Sequence, residues 1–304
     1  MTGTDDVVTV LARRTRVAVT GAGGFLGWHT RVRLRALGAF DVTAVGREEM
    51  AGESLEQAVG DADVVLHLAG INRASDRELE LGNVALADRL VGALTASGSR
   101  AAVVYADSIQ SGSDTPYGRG KRSAGETLQA WGSANGANVT VARLPNLFGE
   151  HGRPNYNSFV ATFASVVAAG GTSQVDVDRL VPLMHVQDAV SAIIAAGVAG
   201  TEGLLEPSGT PLMVSDVLDK LVGYFAVYRA GDIPALYDDI DLALFNTLRA
   251  AMFPTAYPFR PTPRSDERGT LVESVRVHGG QGQTFVSSTH PGFVRGEHFH
   301  LRKV

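Results

Sequence analysis

Short β-branched runs alternate with Ala- and Leu-rich stretches through the first half of the chain, and this alternation restricts the fold more than any other feature. VAVT (17–20), DVTAV (41–45), VVLHLAG (64–70), AAVVYA (101–106) and NVTVARL (138–144) read as strands. Residues 27–38, 54–62, 82–97 and 121–134 read as helices between them. Strands separated by helices at this spacing build parallel βαβ units. Strands that are apolar at nearly every residue suit a sheet covered on both faces. The expected fold class is α/β: a doubly wound parallel Rossmann sheet, with ligands at the C-terminal ends of its strands.

After Leu144 the pattern loosens. Helices are expected at about 157–169, 187–199, 214–226 and 238–251, with few strands, as in a smaller substrate lobe over 145–262 that returns some segments to the sheet. Residues 263–304 are β-rich with turns and no helix, and Pro254, Pro258, Pro261 and Pro263 read as a linker before them. The expected domains are therefore 15–262 and 263–304. The longest apolar stretch, Ala189 to Ala199, is interrupted by Ser191 and falls short of the ~20 residues needed to cross a bilayer. It reads as a buried helix. Asp5 and Asp6 stand where a signal peptide would carry cations. A net charge of −5 argues against nucleic-acid or polybasic membrane partners. The absence of cysteine excludes disulfides, iron–sulfur clusters, thiolate zinc sites and a cysteine nucleophile. A cytoplasmic location is the expectation.

The first strand runs straight into Gly21-Ala22-Gly23-Gly24-Phe25-Leu26-Gly27. In such a loop one glycine makes the tight turn, one lets backbone amides approach a pyrophosphate, and one lets helix and strand pack closely. The helix N-terminus then faces the anion. Twenty residues beyond Gly27, at the end of the second strand, stands Arg47. An acidic residue there would bind a ribose 2′-hydroxyl, whereas an arginine suits a 2′-phosphate, so NADP is expected in preference to NAD. Glu48 and Glu49 follow directly and keep NAD open.

Tyr117-Gly118-Arg119-Gly120-Lys121 places a phenol and an ammonium one helical turn apart, on one face at the start of a helix. Carbonyl reduction needs a proton donor at the oxygen while hydride reaches the carbon. A free tyrosine titrates near 10, and a nearby ammonium is expected to lower that value. Arginine supplies 24 of the 27 basic residues, yet this position is one of three lysines. Lysine is the compact charge able to reach both a phenol and a ribose. Ser108 ends the preceding strand and can bond the same oxygen. Asp107 beside it either matters to the site or ends the strand.

With TGAGGFLG, HLAG (67–70), Asn83, Ser108, Tyr117 with Lys121, RLPNLFG (143–149) and HVQD (185–188) in this order, residues 15–260 resemble the extended short-chain dehydrogenase/reductase family. The resemblance implies that Gly21, Gly24, Phe25, Leu26, Gly27, Leu68, Ala69 and Gly70 line the cofactor. It also implies that Asn83 supports the active site and that Asn146 sits beside nicotinamide and substrate. His67 and His185 read as structural.

SIQ with PYG and Lys121, PNYNS (154–158), ERGTLVE (267–273) and GEHFH (296–300) look more narrowly like the bifunctional capsular-polysaccharide enzymes that act on UDP-activated 4-keto sugars. These join a short-chain reductase to a C-terminal cupin. The resemblance implies a UDP-sugar substrate facing Asn155, Tyr156 and Asn157, with Arg153 and Arg179 toward its diphosphate, and a homodimer is expected. His298 and His300, two apart on a strand, match the opening of a cupin metal motif. The glutamate and third histidine that should follow are not in the sequence, so an incomplete, non-functional metal site in a truncated cupin is expected. The expected activity is reduction of the C4 ketone of a UDP-4-keto-6-deoxy sugar. The alternatives are a nucleotide-sugar 4-epimerase, which uses the same trio, and a non-catalytic dinucleotide-binding module.

Overall fold

The computed structural model describes residues 13–279, 283–294 and 296. In chain order the elements are β1 (Thr15–Thr20), α1 (Phe25–Leu37), β2 (Phe40–Val45), α2 (Arg47–Ala51), α3 (Ser54–Gly60), β3 (Val64–His67) and α4 (Asp76–Ala96). Next come β4 (Ala102–Ser108), α5 (Pro116–Asn135), β5 (Val139–Leu144), β6 (Asn146–Phe148), α6 (Phe159–Ala168), β7 (Leu180–His185) and α7 (Val186–Ala199). The remainder are β8 (Gly203–Leu205), β9 (Thr210–Met213), α8 (Val214–Arg229), α9 (Asp239–Met252), β10 (Arg264–Asp266), β11 (Gly269–Arg276) and β12 (Gln283–Ser287). They fall into two compact units: residues up to Phe148 with Pro182–Pro211, and Gly149–Val181 with the residues from Leu212 onward.

The first unit is a six-stranded parallel sheet in the order β2-β1-β3-β4-β5-β8. All four residues of β3 are buried, as expected of a strand covered on both faces. On one face Val103, Tyr105, Leu90, Leu94, Leu128 and Trp131 form a core with α4 and α5. On the other, Val104, Leu66, Val190 and Ile193 pack with α7, so the apolar stretch at 189–199 is the buried helix its composition suggests. Each fully buried branched side chain there contributes roughly 1.5–3 kcal/mol. Among the described residues, no helix is long and apolar enough to cross a membrane.

Two helices begin upstream of their apolar periodicity because of their caps. Ser75 and Glu78 form a reciprocal capping box, which starts α4 at Asp76 rather than 82. Thr115 accepts from the Gly118 amide at 3.1 Å and Pro116 fills the first helical position, so α5 starts five residues before the sequence pattern suggests. This seats Tyr117 and Lys121 in its first two turns.

In the second unit α6, α8 and α9 pack on one another. Asp241, 1% exposed, knits two of them by accepting from Lys220 Nζ and Tyr224 OH, both at 2.7 Å. The proline-rich segment read as a linker is packed instead. Tyr228 and Tyr257 share a hydroxyl hydrogen bond at 3.0 Å, and Phe259 stands edge-on to Tyr228 with centroids 4.8 Å apart. The aromatic residues between the prolines have found partners on α8, which the proline spacing alone does not reveal.

The tail folds as the antiparallel sheet β10-β11-β12. It is fastened to the segment after α8. Ile233 donates its amide to Arg276 O at 2.8 Å, and His278 donates its amide to Ile233 O at 2.9 Å. Asp232 meets Arg276 Nε at 2.7 Å and His278 Nδ1 at 3.3 Å.

Candidate active site

Strand order reverses at β1, which lies between β2 and β3, and crevices outside the strand ends at such a point take ligands. Two loops meet there. Gly21 closes β1 with φ of +64°, and a Cβ on it would stand 2.7 Å from the Ala69 nitrogen. Only glycine combines that backbone conformation with that approach. Gly27 is held as tightly, since its Cβ would fall 2.2 Å from Gly21 O. Gly24 caps α1 without a side chain, and the space a Cβ would occupy at Gly23 is open. Phe25 and Leu26 turn their side chains onto the apolar core, leaving the first-turn amides of α1 to face the opening. A cradle of this kind fits the pyrophosphate of a dinucleotide.

Leu68 and Ala69 both donate their amides to Thr20 Oγ1 at 3.2 Å. The Thr20 hydroxyl in turn donates to His67 Nδ1 at 2.8 Å. Asn83 is wholly engaged in holding the same loop: Oδ1 accepts from the Ile71 amide at 3.0 Å, and Nδ2 donates to Ile71 O and Leu79 O at 2.8 Å. It shapes the loop through the backbone. A Cβ on Gly70 would come within 3.8 Å of Lys121 Nζ, so this loop borders the lysine. Arg47 does not end β2, as its spacing suggests, because Gly46 caps the short helix α2 and makes Arg47 its first residue, exposed to solvent. Glu49 turns back so that its carboxylate accepts from the Gly46 amide at 2.9 Å.

Ser108, Tyr117 and Lys121 come together where β4 ends and α5 begins. The Ser108 side chain bonds the Tyr117 phenol. Lys121 is 5% exposed; its Nζ donates to Ala106 O at 2.6 Å and lies 4.2 Å from the centroid of the Tyr105 ring. The phenol is not held acidic. It is pushed up to about 12, chiefly by burial and then by the negative charge of Asp107, with the Ser108 hydrogen bond working the other way. The expected lowering by the lysine is therefore overturned: the buried ammonium spends its contacts on Ala106 O and the Tyr105 ring. Burial also brings Lys121 down to about 8, against the opposing pull of Asp107.

Beneath the trio, register aligns Thr20, His67 and Tyr105 across β1, β3 and β4. His67 and Tyr105 stack with centroids 5.7 Å apart, and burial brings the imidazole down to about 3, so it is neutral. Tyr105 belongs to the site but escapes a reading by motif, and Thr20 enters only as the first residue of TGAGGFLG, with no role of its own. Their signal in the sequence is that they stand near the C-terminal ends of strands beside a glycine loop.

Asn146, also in the first unit, donates from Nδ2 to Pro182 O at 3.3 Å. The other residues assigned to the sugar nucleotide belong to the second unit. Arg153, Asn155, Tyr156 and Asn157 are exposed in the turns before α6, where the Arg153 guanidinium lies 5.2 Å from the Tyr156 ring centroid. Arg179 precedes β7, and its carbonyl accepts from the Val214 amide at 3.1 Å. His298 and His300 lie outside the described residues, among which no group of three or more His, Asp or Glu side chains is placed to hold a metal.

Residues 17–204 match the family described as NAD dependent epimerase/dehydratase, and residues 264–304 match a polysaccharide biosynthesis C-terminal domain. The chain is 30% identical over 293 residues to a UDP-2-acetamido-2,6-beta-L-arabino-hexul-4-ose reductase of Pseudomonas aeruginosa, covering 95% of this chain and 78% of that one. Its structure resembles that of the capsular polysaccharide assembling protein CapF from Staphylococcus aureus. The TM-score is 0.79 at 29% identity, over 91% of this chain and 76% of that one. The fold is also that of MoeE5 in complex with UDP-glucose and NAD, with a TM-score of 0.61 at 24% identity over 68% and 81% of the two chains.

Proposed function

The chain belongs to the NAD dependent epimerase/dehydratase family and is an NAD(P)-dependent nucleotide-sugar enzyme of the short-chain dehydrogenase/reductase type; on that premise we propose that it reduces the C4 ketone of a UDP-4-keto-6-deoxy sugar with NADPH, toward a capsular or surface polysaccharide precursor. The observation that carries the reading is the Ser108–Tyr117–Lys121 cluster beside the glycine cradle. A reduced nicotinamide bound in that cradle would supply hydride to the carbonyl carbon. Ser108 orients the ketone oxygen, and Tyr117 gives that oxygen its phenolic proton, so one hydride and one proton convert the ketone to the alcohol. Lys121 holds its ammonium next to Gly70, within reach of a ribose.

Burial and the charge of Asp107 keep the Tyr117 phenol protonated, the form from which a proton passes to the incipient alkoxide. Arg47 supports NADPH, and the Glu49 carboxylate at the Gly46 amide favours NADH as the second reading.

The test is loss of NADPH absorbance with C3-epimerised and unepimerised UDP-4-keto-6-deoxy sugars, with product identified by mass. Tyr117→Phe is expected to lower turnover about 10²–10⁴-fold, and Arg47→Ala to shrink any preference for NADPH over NADH. Absence of NADPH consumption with every such sugar overturns the reading. Interconversion of UDP-hexoses without added cofactor establishes the epimerase instead.

A further inference from the structure

Tyr105 lies in the middle of β4, 1% exposed, and the reaction as read above makes no use of it. It meets Lys121 at both ends of that residue. Its hydroxyl donates to the Lys121 carbonyl oxygen at 3.3 Å, and Lys121 Nζ stands over its ring, 4.2 Å from the centroid. Burial pushes the Tyr105 phenol up, so the hydroxyl keeps its proton and stays a donor. The ring is itself held, stacked on His67 with centroids 5.7 Å apart and set in the core beneath α4 and α5. An ammonium taken out of water needs compensation. The contacts of the Lys121 head are the Ala106 carbonyl oxygen at 2.6 Å and the face of this ring. The negative face of an aromatic ring attracts a cation within about 6 Å of its centroid, and more strongly where water is excluded. Lysine carries a compact charge on a flexible stem. One carbonyl fixes the direction of one N–H; the ring face fixes where the head comes to rest. The titratable groups around the pair are Asp107 on β4, Tyr117 one turn earlier on α5, and His67 on β3, which is neutral.

We propose that Tyr105 is a positioning residue for Lys121: its ring face holds the ammonium and its hydroxyl holds the backbone, so that the charge stays beside Gly70, where it meets a bound dinucleotide. The proposal rests on the reading of this site as a dinucleotide-dependent reducing centre. The hydroxyl sets the turn of α5 from which the lysine stem leaves, and the ring sets where the stem ends. Tyr105 thereby acts through Lys121 and not on the reacting atoms.

The test separates the charge on the ring face from the shape of the ring. Tyr105→Phe, and the same variant carrying one, two or three ring fluorines introduced by amber suppression, keep the ring and withdraw electrons from its face step by step. Only three lysines occur in the chain, Lys121, Lys220 and Lys303, so ¹³C-lysine labelling of the full chain gives three side-chain signals, and Lys121→Arg assigns one. The Lys121 signal is expected to titrate near 8 in the wild type and to stay close to it in Tyr105→Phe. Along the fluorinated series the midpoint should fall by about half a pH unit to one unit in all. Affinity for NADPH and for NADH, measured by calorimetry at pH 7, should fall several-fold in the same order. Tyr105→Leu should show the largest fall in both, and the fluorinated series gives the answer if the leucine variant does not fold. A folded series in which either the Lys121 midpoint or the dinucleotide affinity fails to follow the fluorines overturns the proposal even where the wild type reduces 4-keto sugars. Both following them in a protein that reduces none of these sugars upholds the hold on Lys121 and overturns the reductase reading.

Discussion

In the parallel sheet, β3 is buried along its whole length and β5 at five of its six residues; in the C-terminal sheet, every residue of β12 is exposed and Phe285 and Val286 face solvent. The first is covered on both faces by helices, and its polar interior groups (Thr20, His67, Asp107, Lys121) gather at one end of the strands. The second has no such cover among the described residues and is fastened by two backbone hydrogen bonds and the charges around Asp232. Apolar burial supplies stability in bulk and permits a few costly polar groups where chemistry needs them. Ion pairs such as those of Asp232, in which Arg276 and His278 remain largely exposed, contribute less in bulk and serve mainly to fix position. The two regions should therefore respond differently to substitution.

The largest effect is expected at Gly27. Valine there would drive a Cβ to 2.2 Å from Gly21 O, which is backbone and cannot swing aside. Overpacking of this kind costs roughly 1–3 kcal/mol or more, and it would also spread the glycine cradle. Gly27→Val should lower the melting temperature of the first unit by several degrees and abolish dinucleotide binding by calorimetry. A variant that binds the dinucleotide normally would break the claim that this close approach shapes the site.

A smaller effect of opposite sign is expected at Lys121. Its pKa, lowered from 10.5 to about 8, means that below pH 8 the folded protein holds an ammonium that water would hold better. The cost is roughly 3 kcal/mol at most, at about 1.4 kcal/mol per pH unit. Between pH 8 and 10.5 the unfolded chain keeps this proton and the folded one releases it, so the group makes stability rise with pH across that window. Lys121→Met should melt higher than the wild type at pH 7, converge with it by pH 10.5, and lose the proposed reductase activity. A lower melting temperature at pH 7 would show that the bond to Ala106 O outweighs desolvation.

The same division governs what the sequence discloses. The Gly21–Gly27 loop and the Tyr117–Lys121 spacing are legible because each is a local pattern whose geometry follows from one turn or one helix. The starts of α4 and α5 are less so, since Ser75 and Thr115 cap them ahead of any apolar period. The direction of the Tyr117 shift is not legible at all. It depends on burial by the fold and on Asp107, ten residues away on another element. Likewise Asp232 meets Arg276 from 44 residues away, through a contact that composition does not announce.

That contact gives the smallest and most local test. Arg276 and His278 hold the Asp232 carboxyl below its ordinary range, so the anchor is fully present above the usual carboxylate pKa and is lost as pH falls through the lowered value. Asp232→Asn should mimic that loss at neutral pH. Because the Ile233–Arg276 and His278–Ile233 backbone bonds survive the substitution, release should be partial. Amide exchange at Ile233 and His278 should quicken several-fold and proteolysis after Pro263 should accelerate, while the melting of the parallel sheet stays unchanged. Exchange as slow as in the wild type would mean that the backbone bridge alone fastens the tail. Unfolding that spreads into the parallel sheet would mean that the two regions share one cooperative unit after all.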